Sequence, residues 1–285
     1  MSSPPISVVI RTLNAAVTLK PVLEAVRLQP DDQLVLVDSG STDGTLELAT
    51  AHGAHVFRLA AKDFSYGRAL NVGFAQARHE WVLALSSHTV PVRPDFLDLY
   101  RKAVREQFGL RVAAAVGPLM MSDFDQGLPG GITYFEQGDF RKGFGFGAGN
   151  PNSLYRRAIW EKHEFDETLP GGEDLDWYVW ALKQGYQVAA VHAAEVRYIS
   201  RRPAKAFFTK GRVDHRISAR LIEAHQPSLA GIAIRCAKLM LYASMGRIDW
   251  HGAKGSLFHC LGTYVEARAL RQANVKNARR PGASS

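Results

Sequence analysis

The stretch Val35-Leu-Val-Asp-Ser-Gly-Ser-Thr-Asp-Gly-Thr45 reads as a buried strand that stops at a carboxylate and breaks into a Gly/Ser/Thr turn. An uninterrupted apolar run ending this way belongs to the inner part of a parallel sheet, where ligands gather at the carboxyl ends of strands. Asp38 and Ser39 therefore stand at the ligand edge, Asp38 as an acceptor for a base N–H or a ribose hydroxyl. Asp43 closes the turn before a helix starting near Thr45. It is either a second ligand group or, with Thr42, a cap for that helix. No GxGxxG follows the first strand, which runs into Arg11-Thr-Leu-Asn-Ala15. The calcium-loop pattern would need one more acidic or Asn ligand before Asp43.

Outward from this stretch, strand-like runs alternate with helical spacing. Ile6 to Ile10 and Leu34 to Val37 flank Leu19, Val22, Leu23 and Val26, a βαβ pattern. Val56 to Leu59, Trp81 to Leu85, Val112 to Val116 and Val188 to Val191 continue as strands, with helices around Arg68 to Ala77 and Asp95 to Val104. Pro94 suits the first turn of the latter. The expectation is a Rossmann-like α/β domain, a mostly parallel sheet flanked by helices, over 1–202. A helical C-terminal region with a disordered tail from Arg279 is expected over 203–285. Gly127 to Gly149, rich in glycine and aromatics, should resist regular structure, as a mobile loop near the site or an ordinary surface connection. Leu257, Cys260, Leu261, Tyr264 and Val265 share one helical face. Leu229 to Met245 is apolar nearly all round, either packed on the domain or lying in a membrane interface.

Composition narrows the class. With 46% hydrophobic and 22% charged residues the chain can bury a core. Two cysteines, Cys236 and Cys260, lie outside any CxxC spacing and argue no disulfide framework or zinc site. Met1 to Pro5 lacks the features of a signal peptide, and no window is apolar over the roughly 20 residues a span needs. A cytoplasmic protein is expected, peripheral at the inner face of the membrane if at a membrane at all. The charge of +8 calls for an anionic partner. Basic residues at Arg201-Arg202, Lys210 to Arg212, Arg216, Arg220 and Arg279-Arg280 sit beside apolar segments, which favours a membrane surface over nucleic acid.

The ordered set SVVIRTLNA, VDSGSTDGT, FSYGRALNVG, LSSHTVP and GGEDLDW resembles the family 2 glycosyltransferases of GT-A fold, and within them the bacterial rhamnosyltransferase-like branch. The resemblance covers about residues 6–200, with nucleotide-sugar binding over about 6–92 and the acceptor and catalytic part over about 112–200. It implies a nucleotide pocket formed by Thr12, Asn14, Asp38, Ser39 and Asp43. Arg68 and Asn71 would lie on the helix leaning on the donor's phosphates and sugar, as suits a guanidinium. Arg68 as a plain solvated residue stays open.

The family's metal-binding DxD motif is replaced by Ser86-Ser87-His88, with Ser87 on the donor side and His88 where the metal-binding Asp stands. Imidazole suits Mn²⁺ better than Mg²⁺. Three readings stay open: His88 binds a divalent cation, with His192 after the strand Val188 to Val191; His88 meets the diphosphate directly; or activity has been lost. The carboxylate cluster Gly171-Gly-Glu-Asp-Leu-Asp-Trp177 opens a helix running to Gly185. By resemblance Asp174 is the base of an inverting transfer and Glu173 its neighbour. Gly172, Asn152 and Trp177 fall on the acceptor side, with Trp177 a sugar-stacking face or a core residue. The implied function is transfer of a sugar from a nucleoside-diphosphate donor to a saccharide or lipid-linked saccharide in cell-surface polysaccharide assembly. The alternative is an inactive GT-A scaffold.

Overall fold

In the computed structural model, which describes residues 3–120, 130–142, 150–199, 204–222 and 250–278 with isolated positions between 233 and 244, the β-branched runs are strands. Strand β1 (Ile6–Thr12) leads through α1 (Ala16–Ala25) to β2 (Gln33–Asp38), then α2 (Thr45–Ala51), β3 (His55–Arg58), α3 (Tyr66–Ala75) and β4 (Trp81–Ser86). After β4 come β5 (Thr89–Pro91), α4 (Phe96–Glu106), β6 (Val112–Val116), β7 (Leu119–Met120) and β8 (Ile132–Phe135). They are followed by β9 (Asn152–Arg156), α5 (Arg157–Trp160), α6 (Glu173–Lys183), β10 (Gln187–Val191) and β11 (Val196–Tyr198).

Among the described residues an eight-stranded sheet runs β3-β2-β1-β4-β9-β6-β10-β8, and a three-stranded sheet runs β5-β11-β7. The β3-β2-β1-β4 half is parallel throughout, and β6 pairs with β10 in parallel. Alternate residues of each central strand enter opposite helix layers. Val8, Ile10, Leu34, Leu36, Leu83 and Leu85 pack with Leu19 and Val22 of α1 and Phe96 and Tyr100 of α4. Val9, Val35, Val37, Val82 and Ala84 pack with Leu70 and Phe74 of α3 and with Trp177 and Tyr178 of α6. A strand covered on both faces has no polar side, which is why these runs are continuously apolar. Each such Val or Leu contributes roughly 1.5–3 kcal/mol by leaving water.

The sheet is mostly parallel as expected; two expectations are corrected, and one strand, β9, was not foreseen. Within the glycine-rich stretch, β8 pairs antiparallel with β10, Val188 opposite Phe135 and Val191 opposite Ile132. The β-branched and aromatic run Ile132-Thr-Tyr-Phe135 outweighs the surrounding glycines. Residues 127–129 and 143–149 of that stretch lie outside the described residues. Strand β9 runs antiparallel between β4 and β6, splitting the parallel order. Helix α4 starts after Asp95, so Pro94 precedes it; Arg93 grips Asp95 through two 2.9 Å bonds in the turn instead.

The chain divides into two compact units near residue 200. In the second, α7 (Ala204–Ile222) packs on α8 (Trp250–Ala278). The expected common face of α8 is split: Cys260 is buried while Leu261 and Val265 are exposed. Most of Leu229 to Met245, together with Cys236, Arg201-Arg202 and the tail from Arg279, lies outside the described residues. No helix among those described is long and apolar enough to cross a membrane. Charge follows the division. Residues 201–285 hold 16 Lys and Arg against 4 Asp and Glu, net +12, whereas residues 1–200 hold 19 against 23, net −4.

Candidate active site

The parallel register sets the site. Thr12 is paired with Asp38, and Arg11 with Ser86, so the carboxyl ends of β2, β1 and β4 present these side chains along one edge. Asp38 is 1% exposed, and its carboxylate organises the loop that follows. Oδ1 accepts from Thr12 Oγ1 at 3.1 Å and from Ser41 Oγ, and Oδ2 accepts from Gly40 N and Ser41 N, both at 2.9 Å. Burial opposes its charge, but these hydrogen bonds outweigh burial and hold the carboxyl below its ordinary value. All four acceptor positions are thus engaged by the protein, so a base N–H can be received only by displacing one of them.

Ser39 donates its N–H to Thr12 O at 3.0 Å, while its buried Oγ lacks a hydrogen-bond partner among the described residues. Asn14 takes a left-handed conformation, φ 47°, which Asn tolerates better than most residues. It donates N–H to Ser41 Oγ at 2.8 Å and accepts Thr42 N–H at 2.9 Å. Asp43 accepts from Ala16 N at 3.0 Å and from both Thr45 donors, tying the start of α1 to the start of α2. The bond from Thr45 Oγ1 is the main cause that lowers its pKa. The N-cap of α2 is Gly44, and Asp43 just before it is an exposed residue at the rim of this edge.

The second wall is the start of α6. Gly171 and Gly172 adopt φ of 154° and 73°, turning the chain sharply into the helix. Glu173 is buried, and its Oε1 accepts from Arg11 Nη1 at 3.2 Å and from Asn150 Nδ2 at 3.0 Å. Arg11 also donates to Tyr66 O at 2.9 Å and lies over the Tyr66 ring. Asp174 is half-buried. Its Oδ2 accepts Asn150 N–H at 2.9 Å and its Oδ1 accepts Leu175 N–H at 2.7 Å.

Asn150 thus holds both carboxylates, and Pro151 beside it accepts from Ser86 N at 3.2 Å and Thr89 Oγ1 at 2.9 Å. Behind it, Asn150 Oδ1 accepts from Tyr155, whose single proton is thereby used, so Tyr178 donates to Tyr155, each link 2.8 Å. Burial, then the nearby carboxylates, raises both phenol pKa values, and the pair remains neutral. Sequence reasoning missed Arg11, whose signal was a basic residue closing an apolar strand. It left Asn150 without a role.

Other expected site residues are fasteners. Asn71 is buried, donating to Phe165 O at 2.9 Å and Glu167 Oε1 at 3.0 Å and accepting from Phe165 N and Trp160 Nε1. Asn152, 1% exposed, joins Tyr100 to Ala194. Trp177 is fully buried, with its Nε1 on His163 O at 2.7 Å and Tyr155 edge-on at 5.0 Å; of its two readings it fills the core one, with no ring face open to a sugar. Arg68 is exposed on α3, with no carboxylate partner among the described residues.

Ser87 is buried; His88 is half-buried, with Ser86 Oγ at 3.1 and 3.2 Å from its ring nitrogens and Tyr198 edge-on at 5.0 Å. His192 is engaged elsewhere, 3.0 Å from Thr133 Oγ1. Among the described residues no group of three or more His, Cys, Asp or Glu is arranged to hold a metal ion. One imidazole and two hydroxyls do not fit a protein-enclosed divalent site, and a cation here would draw most of its ligands from a bound diphosphate.

Residues 7–163, more than half of the chain, match the family model described as Glycosyl transferase family 2. Over 133 residues the chain is 32% identical to PGL/p-HBAD biosynthesis glycosyltransferases of Mycobacterium bovis and Mycobacterium tuberculosis, covering 45% of this chain and 47% of theirs. The match therefore spans about half the length of these relatives. In fold the chain is similar to the mannosyltransferase PcManGT from Pyrobaculum calidifontis in complex with GDP-Man and Mn²⁺. That likeness has a TM-score of 0.60 at 16% identity and covers 98% of this chain and 82% of that one. It is also similar to S. aureus TarS 1-349 in complex with UDP-GlcNAc, with a TM-score of 0.59 at 14% identity, covering 94% and 92%.

Proposed function

This chain belongs to glycosyl transferase family 2 and has the GT-A fold; from that footing we propose that it moves one sugar from a nucleoside-diphosphate donor to a saccharide hydroxyl, inverting the anomeric carbon. The observation carrying this is the pair at the start of α6. Glu173 is buried and locked to Arg11 and Asn150, while Asp174 beside it, half-buried in the first turn of the helix, accepts Asn150 N–H and Leu175 N–H. In the proposed step Asp174 takes the proton of the acceptor hydroxyl as its oxygen bonds to the anomeric carbon. The bond to the nucleoside diphosphate breaks as that bond forms. Thr12, Asn14, Asp38, Ser39 and Asp43 frame the nucleotide, and Ser87, His88 and Arg68 serve the diphosphate side.

His88 meets the diphosphate directly or through a divalent cation coordinated mainly by phosphate oxygens. The GDP-Man and Mn²⁺ complex of a fold neighbour supports cation use in proteins of this architecture. The mycobacterial relatives' role in PGL/p-HBAD biosynthesis supports a lipid-linked or cell-surface glycan acceptor. A hexose or deoxyhexose is the sugar proposed, and the basic C-terminal unit is proposed to meet the membrane carrying the acceptor.

Calorimetric titration of UDP, GDP and dTDP with Mn²⁺, Mg²⁺ or chelator tests the donor site, and transfer by Asp174→Asn tests the chemistry. Binding of one nucleotide with transfer lost in Asp174→Asn supports the enzyme. The replacement of the metal-binding carboxylate by His88 favours a second reading, an inactive scaffold. Nucleotide binding without any turnover, or function in cells unaffected by Asp174→Asn, would support it.

A further inference from the structure

Helix α8 is packed inside out. Its side against α7 is polar and small. Glu266, 3% exposed, is held by Arg212 at 2.9 Å and Arg216 at 2.7 Å, and His259 meets Asp214 at 3.1 Å. A Cβ on Gly262 would stand 2.0 Å from Phe208 O. The large apolar side chains face out: Phe258 is 36% exposed, Leu261 48% and Val265 37%. At 100° per residue, Lys254, Phe258, Leu261, Val265 and Arg268 fall within a stripe about 100° wide, the width of a face that elsewhere enters a core. Lys254 and Arg268 are exposed at its two ends along the helix axis. Ile234, Met240 and Leu241 add exposed apolar helical residues at 70%, 45% and 55%.

Electrostatics selects what covers this face. Residues 201–285 carry net +12, and two of their four acidic residues, Asp214 and Glu266, are consumed by pairs inside the helix packing. A second copy would bring another +12 against the first, whereas a nucleic acid would satisfy the cations and leave Phe258, Leu261 and Val265 in water. We propose that the Lys254–Phe258–Leu261–Val265–Arg268 stripe of α8 docks on an anionic lipid bilayer. Its apolar side chains enter the acyl boundary and its cations lie among lipid phosphates. This deepens the membrane contact proposed above and is independent of the transfer chemistry.

The test is co-sedimentation of the full chain with phosphatidylcholine vesicles with and without phosphatidylglycerol, across a salt series. The wild type is expected to bind the anionic vesicles and to release as salt screens them. Phe258→Ser with Leu261→Ser should lower partitioning at least about tenfold, and Lys254→Gln with Arg268→Gln about fivefold per charge. These positions are exposed, and circular dichroism is to check that the variants fold. Three results would each overturn the proposal: no vesicle binding by wild type, apolar variants that bind as well as wild type, or a dimer by light scattering or retention on oligonucleotides without vesicle binding. Calorimetric titration of nucleotide on the same variants should be unchanged, so loss of lipid binding and loss of the donor site are read separately.

Discussion

Glu173 and Asp174 are adjacent carboxylates with different surroundings. Arg11 and Asn150 hold Glu173 in place, while Asp174 accepts the backbone N–H groups of Asn150 and Leu175. Asp174→Asn keeps an oxygen for Asn150 N–H and removes the proposed proton acceptor. Transfer should fall about 10²–10⁴-fold, with an unchanged thermal midpoint in parallel melts. Arg11→Met should act on stability instead, because it leaves Glu173 buried without its cation. A loss of about 2–3 kcal/mol is expected in urea unfolding, with partial recovery on adding Glu173→Gln. Asp38 gives an acid signature. Its folded pKa lies below the ordinary 3.8, so its contribution is present above 3.8 and lost as pH falls through the folded value. Unfolding free energy should drop more steeply below 3.8 in wild type than in Asp38→Asn, measured across an acid series.

At the scale of elements, the parallel half was legible because β1, β2 and β4 are apolar on both faces and their helices keep a 3.6 period. The antiparallel strands were not. Asn152-Ser-Leu-Tyr-Arg156 neither alternates nor carries a β-branched residue, and its strand identity comes from the gap it fills between β4 and β6. Likewise the ends of β2 and α6 were legible as carboxylate clusters, whereas Arg11 and Asn150 reach Glu173 through contacts 162 and 23 residues apart, which no local pattern encodes. Asn71 and Trp177 bear the polar and aromatic chemistry of ligand groups, and only their burial reveals fasteners. Packing also explains Gly73. A Cβ there would stand 2.3 Å from Val9 Cγ1 and 3.2 Å from Val37 Cγ2, so α3 lies against the sheet by virtue of a missing side chain. Gly73→Ala should destabilise by about 1–3 kcal/mol in urea unfolding, against its gain in helix propensity.

For the whole molecule, the proposed binding and chemistry can be separated because the proposed donor residues stand at the ends of β1, β2 and β4 and the carboxylate pair opens helix α6. A ligand that binds only the folded chain stabilises it by mass action, roughly 2.7 kcal/mol at a hundredfold excess over Kd. For a folded unit of this size that corresponds to a rise of roughly 5–10 °C in midpoint. Thermal melts with saturating UDP, GDP or dTDP should therefore show the rise for the cognate nucleotide and not for the others. Asp174→Asn should keep the full rise while losing turnover, because its carboxylate is proposed to act on the acceptor. His88→Ala should shrink the rise, since the imidazole lies at the end of β4 where the diphosphate is proposed to sit. If its contact runs through a cation, chelator should shrink the wild-type rise to the variant's level; if it is direct, chelator should change neither. A rise that survives His88→Ala in full would remove the residue from the donor site, and with it the account of what replaces the missing carboxylate.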